Sequence, residues 1–319
     1  MENETFQLDR RSILAGLGGL MGALGAVSLG SDDAAAQSNA ASSTLPGYLP
    51  KEAWDAAPGV IDGKPPFTLT DPMQNWYALM KTTNNLVGAR TYVPMFMRVF
   101  FAPQGKAAFP LYTSFGMWTF QFQKPDPAKL PSTITDLQPN DVVQRALYTG
   151  IICDPFSFEP VEEIENPYIG KKVKVRDSVF AESWLLRAGG RGFEGIDRPG
   201  FREDNPERAK RGSPNVRFGD EISFHIAGIL KTEGPLQPRV DGSFWTVKYD
   251  ELMDPKKDLI KARYNFAGIS RARERKWLGV GDTDDSQLLF NTQGLKVHSV
   301  DDIPDAIKNT VLKKYPDRV

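Results

Sequence analysis

Hydrophobic positions alternate along much of the chain, and the longest such pattern runs through residues 90–123. Thr91, Val93, Met95, Met97, Val99 and Phe101 fall on one side of an extended segment there. Arg90, Tyr92, Pro94, Phe96, Arg98 and Phe100 fall on the other. Successive strand residues point to opposite faces, so the first set predicts a core face and the second a face that mixes arginines with aromatics. A Pro/Gly/Ala turn and a second aromatic run ending at Gln123 make the whole stretch a predicted hairpin. Its mixed face is either one wall of a small-molecule pocket or a solvated surface that keeps some aromatics.

Before the hairpin, Thr70 or Asp71 caps a predicted helix with Pro72 in its first turn. Trp76, Leu79, Met80 and Thr83 follow helical spacing, and Asn84, Asn85 and Gly88 end it. After a Pro-rich loop at 125–139, strand patterns recur at 142–153, 158–164, 172–180, 183–187, 216–230, 244–249, 262–269 and 287–291. A last helix is capped at Ser299–Asp302, carries the stripe Ile303, Ile307, Val311 and Leu312, and stops at Tyr315-Pro316. About nine or ten strands with a helix at each end predict a mainly β fold, an antiparallel sheet curled into a barrel or half-barrel. Curling is the economical arrangement because a long row of strands otherwise leaves exposed edges.

The first 36 residues read as an export signal. Asp9-Arg10-Arg11-Ser12-Ile13-Leu14 is a twin-arginine pattern, an apolar run follows at 15–29, and Ala34-Ala35-Ala36 suits cleavage after Ala36. That apolar run has 15 residues, five of them glycine, which is short for a membrane span of ~20 residues. The expectations are a periplasmic protein, the twin-arginine translocase as a partner during export, and no stable membrane anchor. Residues 37–69 read as an extended leader and 70–319 as one barrel-like domain.

The full chain has a formal charge of −1, and the signal removes two basic and five acidic residues, leaving +2 on 283 residues. So small a net charge gives no global field for nucleic acid, and the aromatics sit in core-like runs, so no nucleic-acid partner is expected. Cys153 is the chain's one cysteine, which excludes an intrachain disulfide.

Three sets of residues carry a family likeness. They are Asp71-Pro72-Met73-Gln74-Asn75; Cys153-Asp154-Pro155 with Asn166-Pro167-Tyr168-Ile169-Gly170; and Gly294-Leu295-Lys296, Ile303-Pro304 and Lys314-Tyr315-Pro316. Over roughly residues 70–317 the chain resembles the bacterial and fungal family called domain of unknown function 1838. The resemblance implies frequent twin-arginine export and no settled activity. Some relatives occur in catabolic or biosynthetic settings for aromatic compounds, which leans toward an aromatic ligand. The motifs are turn and cap signals, and they bring no catalytic residues with them.

For chemistry, His225 stands out. Ile222, Phe224 and Ile226 form an apolar face, and Glu221, Ser223, His225 and Ala227 form the other. A histidine on the polar face of a strand suits general acid or base work, because its reference pKa lies near neutrality. Glu221 lies about 13 Å along the strand and cannot orient it. The alternative is a histidine hydrogen-bonded across the sheet. The arginine- and glycine-rich stretch 187–217 reads as a long loop, either a lid or a solvated excursion. Asp282, Asp284 and Asp285 have the spacing of a calcium loop, but Gln287 stands where its glycine belongs, so a solvated acidic turn is the reading. His225, His298 and Cys153 have no metal-ligand spacing, and no phosphate-binding or nucleophile-elbow motif occurs.

With neither metal nor cofactor expected, the leading expectation is an exported, cofactor-independent enzyme of lyase or isomerase type. Its substrate would be a small aromatic or apolar molecule. His225 moves the proton, Arg98 or Arg90 stabilises an anionic oxygen, and Tyr92, Phe96, Trp118 and Trp245 hold the ring. Tyr92 stands with His225 and Arg98 in the catalytic group; Trp118 and Trp245 are chosen for size. The alternative is a non-catalytic periplasmic small-molecule-binding protein.

Overall fold

The computed structural model describes residues 57–196, 202–230 and 239–319. The expected signal at 1–36 and the leader from 37 to 56 lie outside these residues. The predicted hairpin forms as β1 (Thr91–Ala102) and β2 (Phe109–Gln123), followed by β3 (Val142–Cys153). Next come β4 (Glu163–Asn166), β5 (Lys171–Lys174), β6 (Ser178–Arg187), β7 (Gly192–Gly195) and β8 (Arg202–Asp204). The last five are β9 (Asn215–Phe218), β10 (Glu221–Leu230), β11 (Arg239–Lys248), β12 (Ala262–Arg271) and β13 (Gln287–Lys296).

Eleven of these strands form one antiparallel sheet in the order β8-β7-β6-β3-β2-β1-β13-β12-β11-β10-β9, and β4 and β5 make a separate hairpin. The sheet is open, so the architecture is a half-barrel. Several predicted boundaries shift for local reasons. The run at 158–164 starts as a turn, because the Asp154 carboxylate accepts from Phe156 N (2.9 Å) and Ser157 N (2.8 Å) and Phe158 takes φ +63°. The strand begins only at Glu163. The run at 216–230 divides at Gly219, whose φ of +62° makes the turn between β9 and β10. The described residues of the stretch 187–217 carry a 3-10 turn (Ala188–Gly190), β7, β8, the helix α2 (Pro206–Arg211) and most of β9. They therefore supply both edges of the sheet.

The first helix, α1 (Pro72–Thr83), has Asp71 as its N-cap, accepting from Gln74 N at 2.8 Å. Every residue from Asn75 to Thr83 is buried, so α1 has no solvated side. It packs on the Ala188–Gly190 turn and α2 near one sheet edge, and on β11 and α3 (Tyr249–Met253) near the other. It thus lies across the open side of the half-barrel. Asn75 fixes this contact: its Nδ2 donates to Leu69 O and Ser213 O, each at 3.1 Å, and its Oδ1 accepts from Ser213 N at 2.6 Å.

The two faces of the sheet have separate cores. Val93, Met95, Met97, Val99 and Phe101 cluster on the inner face with Trp76, Leu79 and Met80 of α1. Tyr92, Met117, Ile151 and Val297 lie on the outer face with Ile303, Ile307 and Val311. The C-terminal helix begins after Pro304, as α4 (Asp305–Ile307), and runs into a π-helical turn (Lys308–Leu312). It covers β2 and β3 from outside.

Candidate functional site

Side chains alternate along each strand, so the inner surface of the half-barrel follows from the register. Trp118 opposes Tyr148 across β2 and β3, and Tyr148 opposes Phe180 across β3 and β6. The three rings form a cluster, with centroids 4.9 Å apart for Trp118–Tyr148, 5.2 Å for Tyr148–Phe180 and 5.5 Å for Trp118–Phe180. Phe120 stacks on Trp118 at 5.3 Å. Gly116 and Gly150 are cross-strand partners. A Cβ at either position would sit 2.8 Å from the Tyr148 hydroxyl oxygen, so the glycines let the phenol lie flat on the sheet. Burial raises the Tyr148 pKa, which keeps the phenol neutral. The indole Nε1 of Trp118 has no hydrogen-bond partner among the described residues although Trp118 is 1% exposed.

At one end of this inner surface the turns between β12 and β13 carry Arg275. Its backbone is fixed on both sides, since Arg275 N donates to Ala272 O (3.0 Å) and Leu278 N donates to Arg275 O (2.9 Å). The β4–β5 hairpin braces the same turn, with Asn166 Nδ2 donating to Leu278 O at 3.1 Å. Arg275 is 6% exposed, its guanidinium carbon is 5.8 Å from the centre of the Phe290 ring, and its charge acts on Tyr148. Neither Nε nor Nη2 has a partner among the described residues.

The opposite end holds a cluster of cations with a different character. Lys296, wholly buried, donates to Lys81 O (2.8 Å) and Asn84 O (2.7 Å) and so caps the C-terminal end of α1. Lys81, in the last turn of α1, donates to Glu251 O, Leu252 O and Asp254 O, capping α3. Burial lowers both pKa values, that of Lys81 to about 8. Burial and the Lys296 charge push His298 down to about 4. Its Nε2 lies 3.2 Å from Ile260 O, which can only accept, so Nδ1 is the acceptor for the Thr91 hydroxyl at 3.2 Å. Each of these groups serves the backbone or a neighbour, and the cluster is structural.

The residues expected from sequence divide between the two faces. Trp118 and Trp245 are inner, and Trp245 is 2% exposed, packs on Tyr264 and donates Nε1–H to Ser243 Oγ at 3.2 Å. Tyr92, Phe96, Arg98 and His225 are outer. Tyr92 is buried in the core beneath the C-terminal helix, Phe96 packs between Phe115 and Phe158, and Arg98 is exposed. Arg90 is half-buried just before β1. His225 stacks on Phe244 with ring centres 4.4 Å apart, and burial lowers its pKa. Glu221 pairs with Arg263 instead. From β1 to β10 is four steps along the sheet, about 19 Å. His225 and Arg98 therefore do not converge on one small molecule, which corrects the expected constellation.

Sequence reasoning misses Tyr148 and Arg275. Gly116 and Gly150 inside strands are the available signal for the first, as strand glycines mark close approach. Arg275 lies in Arg271-Ala272-Arg273-Glu274-Arg275-Lys276, where nothing local separates the buried arginine from solvated ones. The aspartates of the acidic turn have separate partners: Asp282 pairs with Lys276, Asp285 with Arg273, and Asp284 accepts from the Tyr168 hydroxyl.

No family model matches the chain, and no curated protein does. Among solved structures, the crystal structure of a DUF1329 family protein from Desulfovibrio piger ATCC 29098 at 1.75 Å resolution is similar over 75% of this chain and 97% of that one. The identity is 11% and the TM-score 0.22.

Proposed function

We propose that the protein binds a small, largely aromatic or apolar molecule against the inner face of its half-barrel, without turning it over. Trp118 carries this reading. Buried indole N–H groups normally have an acceptor, and this one, set in an aromatic wall, has none. A bound molecule with an oxygen or nitrogen atom would supply the acceptor, and the rings of Tyr148 and Phe180 would hold its body. Tryptophan fluorescence tests this. Aromatic ligands should quench saturably, the Trp118→Phe protein should bind them more weakly, and the ligand recovered should have unchanged mass. Undiminished affinity in Trp118→Phe refutes the assignment, and altered mass refutes the absence of turnover.

A second reading, a cofactor-independent lyase or isomerase, draws support from His225. Burial lowers its pKa, so its imidazole is a neutral base at pH 7, and it lies on Phe244, which is 45% exposed. In this reading the substrate meets the outer face of β10 and β11. Full turnover in His225→Ala on an identified substrate would sink it.

The proposal includes export to the periplasm through the twin-arginine route and kinship with the domain of unknown function 1838 family, supported by the sequence motifs at Arg10-Arg11 and at 71–75 and 166–170. Replacing Arg10 and Arg11 with lysines should leave the protein in the cytoplasm, as read by cell fractionation.

A further inference from the structure

We propose that Arg275 reads a carboxylate, so that the ligands of the half-barrel are small organic acids with an aromatic or apolar body; this rests on the inner-face binding proposed above. Nε and Nη2 of Arg275 have no partner among the described residues. In a guanidinium these two lie along the same edge, with their N–H bonds nearly parallel, and that edge matches the two oxygens of a carboxylate. The residue is 6% exposed and no carboxylate of the described residues forms an ion pair with it. A buried cation with no counter-charge is costly, and a fold built for stability alone would pair it or replace it with an apolar side chain.

The surroundings suit an acid with a planar body. The guanidinium lies over Phe290, and its charge acts on Tyr148, whose ring packs on those of Trp118 and Phe180. A guanidinium at one end with clustered rings beyond it gives a charged head and an apolar tail separate places.

Calorimetry on the purified protein tests this with phenylacetate, its neutral analogue phenylacetamide, and inorganic phosphate as probes. The expected result is about tenfold or more tighter binding of phenylacetate than of phenylacetamide. Arg275→Met should erase that preference by weakening phenylacetate binding about tenfold or more, and its unliganded Tm should rise. Equal binding of the two aromatic probes by the wild type would overturn the carboxylate assignment and leave aromatic binding standing. Binding of neither would overturn both. Phosphate binding as tight as phenylacetate would show an inorganic anion site and overturn the organic acid. A lower Tm or a failure of Arg275→Met to fold would make Arg275 a structural cation and likewise overturn it.

Discussion

Replacing Lys81 with methionine removes an ammonium that is 2% exposed in the last turn of α1. In the wild type its Nζ donates to Glu251 O at 3.2 Å and to Leu252 O and Asp254 O at 3.0 Å each. Burial pulls its pKa from 10.5 to about 8, against the opposing pull of Asp254, Asp258 and Glu251. Between those two values the unfolded chain holds a proton that the folded chain has released. Folding stability therefore rises with pH across that window. The full distance from 8 to 10.5 corresponds to about 3 kcal/mol. Lys296 adds a rise of the same sign, so the quantity to measure is the difference between wild type and Lys81→Met. Urea unfolding followed by tryptophan fluorescence, repeated from about pH 7 to 10, gives that difference. It should climb by about 2–3 kcal/mol over that range. A flat difference would refute the reasoning. It would mean that the three carbonyls hold the ammonium at its ordinary pKa and cancel the cost of removing it from water.

Asn75→Ala should destabilise the protein by about 2–4 kcal/mol in the same assay, because it breaks three hydrogen bonds, two of them fully buried, that tie α1 to Leu69 and Ser213. Gly116→Ala should cost about 1–3 kcal/mol, since its Cβ would lie 2.8 Å from the Tyr148 hydroxyl, and adding Tyr148→Phe should recover part of the loss. Arg98→Ala should change stability by less than about 0.5 kcal/mol and leave ligand quenching intact, because the side chain is exposed on the outer face. His298, held at about 4, stays neutral in the folded state while the unfolded chain protonates near 6.5. Stability should thus fall as pH drops from 6.5 to 4, less so in His298→Gln, with NMR titration of the ring locating the folded pKa.

Much of the fold is legible because it is written locally. Alternation at 91–101 identifies the core face of β1, and Asp71-Pro72 marks the start of α1. The failures occur where two local signals compete. Valines and charges at 172–180 suggest one strand, yet Lys171–Lys174 and Ser178–Arg187 belong to different sheets. The charged, glycine-rich composition of 187–217 suggests a loop, but β7 pairs with the preceding β6 and β8 pairs in turn with β7, so the edge of the sheet is built from it. The candidate site is the least legible part. Trp118 stands out only by its size, while Tyr148 and Arg275 gain their meaning from neighbours on other strands, Trp118 for the first and Phe290 for the second.

Local pattern alone thus specifies an antiparallel β architecture, the hairpin at its centre and the helices at either end, since period, caps and turn residues act over a few positions. Which face of the sheet is enclosed is settled by tertiary packing, because alternation distinguishes two faces without saying what covers each. α1 and the C-terminal helix cover one each. That choice places Arg98 in solvent and His225 on the outer face, and it leaves Arg275 inside with two nitrogens unpartnered.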